Sequence, residues 1–176
     1  MKDNTSVGRS RWNEPVVAAL AIFALSAATI LGAWYFQLVL KLPPCPLCLE
    51  QRIPYYIVIP LALLIAIAAS GRAPRMLIVI GFLAIIAAML FSAGLGAYHS
   101  GVEWRFWPGP TDCSGPMDDF TKRGALLDQL QSIRVVRCDE AAWRFLGVSL
   151  AGYNVLISLV LAAIAAFGLR ATRQAR

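Results

Sequence analysis

Four uncharged apolar runs, at residues 15–36, 53–70, 76–98 and 145–169, constrain this chain more than any other feature it carries. A helix needs about 20 apolar residues to cross a hydrocarbon core about 30 Å thick, at roughly 1.5 Å per residue. Each run comes near or above that length without one Asp, Glu, Lys or Arg; the shortest is bounded by Arg52 and Arg72. In a bilayer the backbone must satisfy its own hydrogen bonds, so each run is expected to be a helix. Packing the four as core helices of a soluble protein would leave too little polar surface to solvate it. The chain is 59% hydrophobic and 15% charged, against about 45–50% and about 25% in soluble domains. The expected fold class is all-α, an integral membrane four-helix bundle forming one domain over residues 1–176. Ala18, Ala19, Ala21, Ala24, Ser26, Ala27 and Ala28 in the first run would let neighbouring helices approach closely. Arg9 and Arg11 precede that run much as in a signal peptide. The run exceeds the usual core of about 7–15 residues, so an uncleaved anchor is expected.

The net charge is +6, and its placement decides what it means. With four spans, both termini and the short loop 71–75 share one face. That face holds Lys2, Arg9, Arg11, Arg72, Arg75, Arg170, Arg173 and Arg176 against Asp3 and Glu14 alone, and so carries the entire excess. The opposite loops hold equal numbers of basic and acidic residues. This is a positive-inside pattern, which puts both termini in the cytoplasm. It is no footprint for nucleic acid.

All four cysteines fall on the opposite face: Cys45 and Cys48 in the first outer loop, Cys113 and Cys138 in the second. Disulfides persist outside the cytosol, as in the bacterial periplasm, and four cysteines permit three full connectivities. Cys45 and Cys48 form a Cys-x-x-Cys pair preceded by Pro43 and Pro44 and interrupted by Pro46. Such pairs often have a lowered thiol pKa. The prolines predict that the second helix begins near Cys48, where the helix dipole favours a thiolate. Arg52 is one turn deeper on the same face, so thiolate and guanidinium together suit an electron acceptor at the bilayer edge. Arg52 also fits a snorkelling anchor. A zinc site would need Cys113 and Cys138 as further ligands. They lie 25 residues apart with no second Cys-x-x-Cys or His pair, and no metal is expected.

The second outer loop, residues 99–144, opens with His99, placed at the depth of the Cys48–Arg52 pair and equally suited to a plain interfacial hydrogen bond. Trp104, Phe106 and Trp107 suit an interfacial aromatic belt. Further on, Leu126, Leu127, Leu130 and Ile133 recur at helical spacing among Lys122, Arg123, Asp128 and Arg134. That pattern predicts a short amphipathic helix lying on the membrane.

Taken together, the four spans, the Cys-x-x-Cys-x-x-x-Arg of Cys45, Cys48 and Arg52, and the cysteine pair of the second outer loop resemble the disulfide bond formation protein B family. The stretch from Cys138 through Trp143, Phe145, Leu146 and Gly147 is similar to that family's Cys-x4-Trp-x-Phe-Leu-Gly. The likeness runs over about residues 15–169. It implies a bacterial inner-membrane oxidoreductase that reoxidises a periplasmic thioredoxin-fold partner, DsbA, and passes the electrons to a quinone, either ubiquinone or menaquinone. By position, Cys113 resembles the cysteine that forms the mixed disulfide with the partner. Cys138 resembles its mate, which then attacks Cys45 and leaves Cys48 as the thiolate facing the quinone. Arg52 resembles the family's quinone-site arginine, and His99 more loosely its histidine at the end of the third span.

Rival readings predict different things. The vitamin K epoxide reductase family also joins quinones, four helices and two cysteine pairs, but there the loop pair precedes the Cys-x-x-Cys, and here it follows. A non-enzymatic membrane subunit with two structural disulfides would hold cysteines that never exchange. A transporter would be expected to carry a buried ionisable residue inside a span, and none of the four runs has one.

Overall fold

The computed structural model describes residues 5–110 and 137–174, with side chains described from Asn13 onward. Four long helices, each long and apolar enough to cross a membrane, build the bundle. They are α1 (Thr5–Leu38), α3 (Ile53–Ser70), α4 (Arg75–Glu103) and α5 (Leu150–Gln174); a short α2 (Pro46–Glu50) leads into α3. The principal contacts join α1 to α3, α3 to α4, α4 to α5 and α5 back to α1, a closed square in which each helix packs against two neighbours. This is the expected four-helix membrane bundle.

Along α1 the buried positions are Pro15, Ala18, Ala19, Ile22, Ser26 and Ile30, which recur at helical spacing, so one stripe faces the core. Ala24 and Ala28 of the same alanine-rich stretch point outward. Ile22, Val58, Phe82, Ile85, Met89 and Leu161 are wholly buried at the centre. Outside, Val17, Leu31, Leu64, Met76, Phe91 and Val160 are each more than half exposed. Such a continuous apolar surface would aggregate in water and is the natural boundary with lipid. Small residues set the spacing within. A Cβ at Gly168 would stand 2.5 Å from the Phe82 ring, and one at Gly81 would stand 2.7 Å from the Ile65 side chain.

Several boundaries differ from the sequence expectation. α1 and α4 extend beyond the uncharged runs, to Thr5 and Glu103. The second helix starts earlier than Cys48, because Pro46 takes the first helical position, where its missing N–H costs nothing. The fourth span begins at Leu150 instead of Phe145. The residues before it form a hairpin, β1 (Arg144–Phe145) against β2 (Val148–Ser149), with Arg144 opposite Ser149 and Phe145 opposite Val148. Its two turn residues, Leu146 and Gly147, both have positive φ, 49° and 80°, as a tight two-residue hairpin of matching twist requires. Ser149 then caps α5, its Oγ accepting the Gly152 N–H at 3.2 Å. The amphipathic segment around 126–133 and Cys113 lie outside the described residues.

The Arg75 guanidinium donates to the Arg173 carbonyl, tying the start of α4 to the end of α5. The 71–74 turn and the end of α5 therefore share one end of the bundle. Cys45, Cys48 and Cys138 lie at the other.

Candidate functional site

Cys45 occupies the N-cap of α2 in an extended conformation, and its sulfur accepts the backbone N–H of Cys48 at 3.3 Å. A thiol thus stands where a Ser or Asp oxygen usually caps a helix. The two sulfurs are unbonded and 2.8 Å apart, against about 2.05 Å in a disulfide. Either could donate across that gap. The Cys48 N–H and the His99 Nε2, 3.7 Å away, both converge on Cys45, which makes Cys45 the accepting sulfur. The Cys48 thiol beside it, together with His99, outweighs burial and holds the Cys45 thiol well below its ordinary value. The sequence expectation placed thiolate character on Cys48; in this reduced pair it gathers on Cys45, because the helix starts at Pro46, two residues earlier, and makes Cys45 the cap.

His99 comes from the last turns of α4 and is 3% exposed, as fits a group inside a site and not one hydrogen-bonding at the surface. Cys138, 1% exposed, packs over the pair. The sulfurs of Cys45 and Cys138 and a ring nitrogen of His99 all lie within 4.8 Å of one another. Cys138 is disulfide-bonded, to a partner outside the described residues. Three such atoms could surround one ion, but a sulfur already in a disulfide is a poor metal ligand, whereas a thiol beside a disulfide is the arrangement exchange requires. Next to Cys138, Arg137 grips Asp139 through two bonds of 2.9 and 2.7 Å. The Arg137 guanidinium lowers the Asp139 carboxyl from its usual value.

Arg52 does not snorkel outward. Its guanidinium donates to Gln37 Oε1 at 2.7 Å and reaches the Ala33 carbonyl at 3.5 Å, so α1 holds it at the wall of a cavity of about 460 Å³. Cys45, Cys48, Arg52 and His99 all line this cavity, with apolar walls from Ile30, Phe36, Leu150 and Ile157. Phe36, Trp143 and Phe145 form a run of contacting rings, 5.1 and 5.8 Å between centroids, and all three line its edge. Trp104 and Phe106 are exposed as an interfacial belt requires. Trp107 is exposed likewise and also lies over Gly101, where any side chain would collide with its ring.

Sequence reasoning missed four polar groups here. Gln51 bonds His99 Nδ1 at 2.7 Å, and Asn154 of α5 bonds Gln51 at 2.8 Å. Tyr55 bonds Asn154 at 2.7 Å. Glu103 is buried beside His99, its Oε1 at 3.9 Å from Nε2 and its Oε2 without a hydrogen-bond partner among the described residues. Polar residues inside or bounding apolar runs were the available signal.

Free thiols laid against a disulfide at one edge of a membrane bundle define a class, that of membrane proteins that form disulfide bonds. Residues 15–168 match the family described as disulfide bond formation protein DsbB, and the chain belongs to that family. It is 31% identical over 164 residues to disulfide bond formation protein B of Verminephrobacter eiseniae, covering 88% of this chain and 89% of the relative. With the protein of that name from Saccharophagus degradans it shares 34% over 158 residues, covering 86% and 92%. An uncharacterized protein of Rickettsia prowazekii is 27% identical over 149 residues, 82% of each chain. No solved structure matches the chain.

Proposed function

We propose that this protein reoxidises a periplasmic thioredoxin-fold dithiol oxidase of the DsbA kind by thiol–disulfide exchange and passes the electrons to a membrane quinone. The bacterial inner membrane, with the cysteine face toward the periplasm, is the location that the positive-inside charge pattern supports. The observation that carries the reading is the clustering of Cys45, Cys138 and His99 within 4.8 Å, beside a cavity that Cys45 and His99 line.

The chemistry proceeds by exchange. A partner thiolate attacks Cys113 and displaces Cys138. The freed Cys138 thiolate then attacks Cys45 in the Cys45–Cys48 disulfide and releases Cys48, while the partner's second thiolate resolves the mixed disulfide, closing its own disulfide and expelling Cys113 as a thiolate. Each attack needs sulfur against sulfur in direct approach, and Cys138 packed on Cys45 meets that need. A DsbA-type partner is itself strongly oxidising, at about −120 mV, so the final acceptor must lie at higher potential. The cavity fits a quinone: its walls are apolar, Arg52 can donate to a ring oxygen, and the unpartnered Glu103 Oε2 can accept from the hydroxyl of the reduced ring. When bound, a quinone would accept two electrons and two protons, supplying the oxidising power that side chains lack. The residues of the chain hold the thiolate, orient His99 and keep water from the exchange site.

The test is quinone reduction by purified protein in detergent with a reduced thioredoxin-fold partner as donor. Wild type should turn over and Cys45→Ala should not. Lack of turnover with either ubiquinone or menaquinone, alongside disulfides that never exchange, would favour a structural subunit instead.

A further inference from the structure

The hydrogen bonds around His99 leave no freedom in where its ring proton sits. Two backbone carbonyls, which can only accept, fix every direction. Asn154 Nδ2 lies 3.3 Å from the Ser92 carbonyl, and Asn154 Oδ1 accepts from Tyr55 at 2.7 Å. The amide nitrogen of Asn154 therefore faces Gln51 and donates to its Oε1 at 2.8 Å. With that oxygen committed, Gln51 Nε2 faces the Leu47 carbonyl at 3.3 Å and His99 Nδ1 at 2.7 Å. An amide nitrogen has only protons to offer, so Nδ1 must present its lone pair, and the ring proton belongs on Nε2. That atom is 3.7 Å from the Cys45 sulfur and 3.9 Å from Glu103 Oε1.

We propose that Gln51, itself held by Asn154, is a positioning residue that locks His99 in its Nε2–H form, so that His99 serves Cys45 as a fixed hydrogen-bond donor and not as a base. A base would need its lone pair toward the thiol, and in this arrangement the lone pair is spent on Gln51. His99 therefore stabilises negative charge on Cys45 once it has formed. Its Nε2–H has two acceptors to choose between, the Cys45 sulfur and Glu103. Cys48 and Cys138 also face Cys45, and Arg52, Arg137 and Glu140 line the same cavity. The value of the lock to catalysis rests on the proposed function, but the position of the proton does not.

His99 is the sole histidine of the sequence, so labelling with ring-15N histidine gives one residue's signals without assignment. The experiment records long-range 1H–15N spectra of the full-length protein in detergent micelles with its Cys45–Cys48 pair reduced. The expected result is a protonated-type Nε2 and an unprotonated-type Nδ1 in the wild type. In Gln51→Met the proton should move wholly or partly to Nδ1, and Cys45 alkylation at pH 6 should fall about tenfold, the effect of losing about 1.4 kcal/mol of hydrogen bonding to a charged sulfur. A wild-type ring protonated at Nδ1, or an unchanged ring pattern in Gln51→Met, would overturn the proposal. The wild-type spectrum decides it even if the variant does not fold. A wild type with the Nε2–H form but with no quinone reduction would leave the lock standing and remove the proposed function alone.

Discussion

Removing the Cys48 sulfur should make Cys45 a weaker acid. The Cys45 sulfur is almost wholly buried and is met by the Cys48 backbone N–H at 3.3 Å, the Cys48 thiol at 2.8 Å and His99 Nε2 at 3.7 Å. Cys48→Ala takes away only the thiol. A hydrogen bond to a charged acceptor contributes about 1.5–3 kcal/mol, and about 1.36 kcal/mol corresponds to one pH unit. The midpoint for Cys45 alkylation should therefore rise by about one to two pH units. The assay is iodoacetamide alkylation of mildly reduced, full-length protein in detergent across pH, with the Cys45 peptide quantified by mass. Cys48→Ser keeps a donor and should retain most of the wild-type behaviour. The sign of the linked stability is also fixed. The thiolate is favoured in the folded state, so its contribution is complete above the unfolded thiol's pKa and is lost as pH falls through the lower folded value. Resistance to unfolding by dodecyl sulfate should decline across that window in the wild type and less in Cys48→Ala. Identical alkylation midpoints in the two proteins would refute the donor assigned to Cys48.

Arg52→His should act on the cavity more than on the cysteines. Losing the bonds to Gln37 and Ala33 should raise the KM for quinone about tenfold or more while leaving oxidation of the partner by the preformed disulfides intact; unchanged kinetics across quinone concentrations would exclude a role for Arg52 at the acceptor. Gly168→Leu sets a side chain against the Phe82 ring and Ala18 and should cost about 1–3 kcal/mol of bundle stability, read as an earlier transition in dodecyl sulfate titrations.

The spans were legible because the bilayer imposes one rule on every residue within it, and four uncharged runs satisfy that rule without reference to packing. Arg52 was partly legible: spacing put it near Cys48, and the two line one cavity, although Cys48 lies in α2 and Arg52 caps α3. The hairpin at 144–149 was not. Phe145, Leu146 and Val148 are as apolar as any span, and Gly147 was a turn signal hidden in a hydrophobic run. Cys138 and His99 meet Cys45 across long separations in sequence, and for His99 it is the packing of α4 against α3 that fixes the distance. Gln51 and Asn154 were the least legible. Each is a single polar residue with several available partners, and the partner is chosen by which helix faces it.

That choice depends on a residue with no functional group. Gly96 of α4 lies close against α5; a Cβ there would stand 2.9 Å from Val155, 3.1 Å from the Ala151 carbonyl and 3.1 Å from Asn154 Nδ2. Any side chain at 96 must push α5 away or displace Asn154 from Ser92 and Gln51. In lipid, helices gain little from hydrophobic contact with one another, so small residues decide how near two backbones come. Here the same closeness that packs α4 on α5 brings the Asn154 amide within reach of Gln51, and through Gln51 it sets the ring of His99. The small-residue packing of the bundle and the orientation of the candidate redox site are thus one structural fact. A change at Gly96 should disturb the His99 ring even though it touches no thiol.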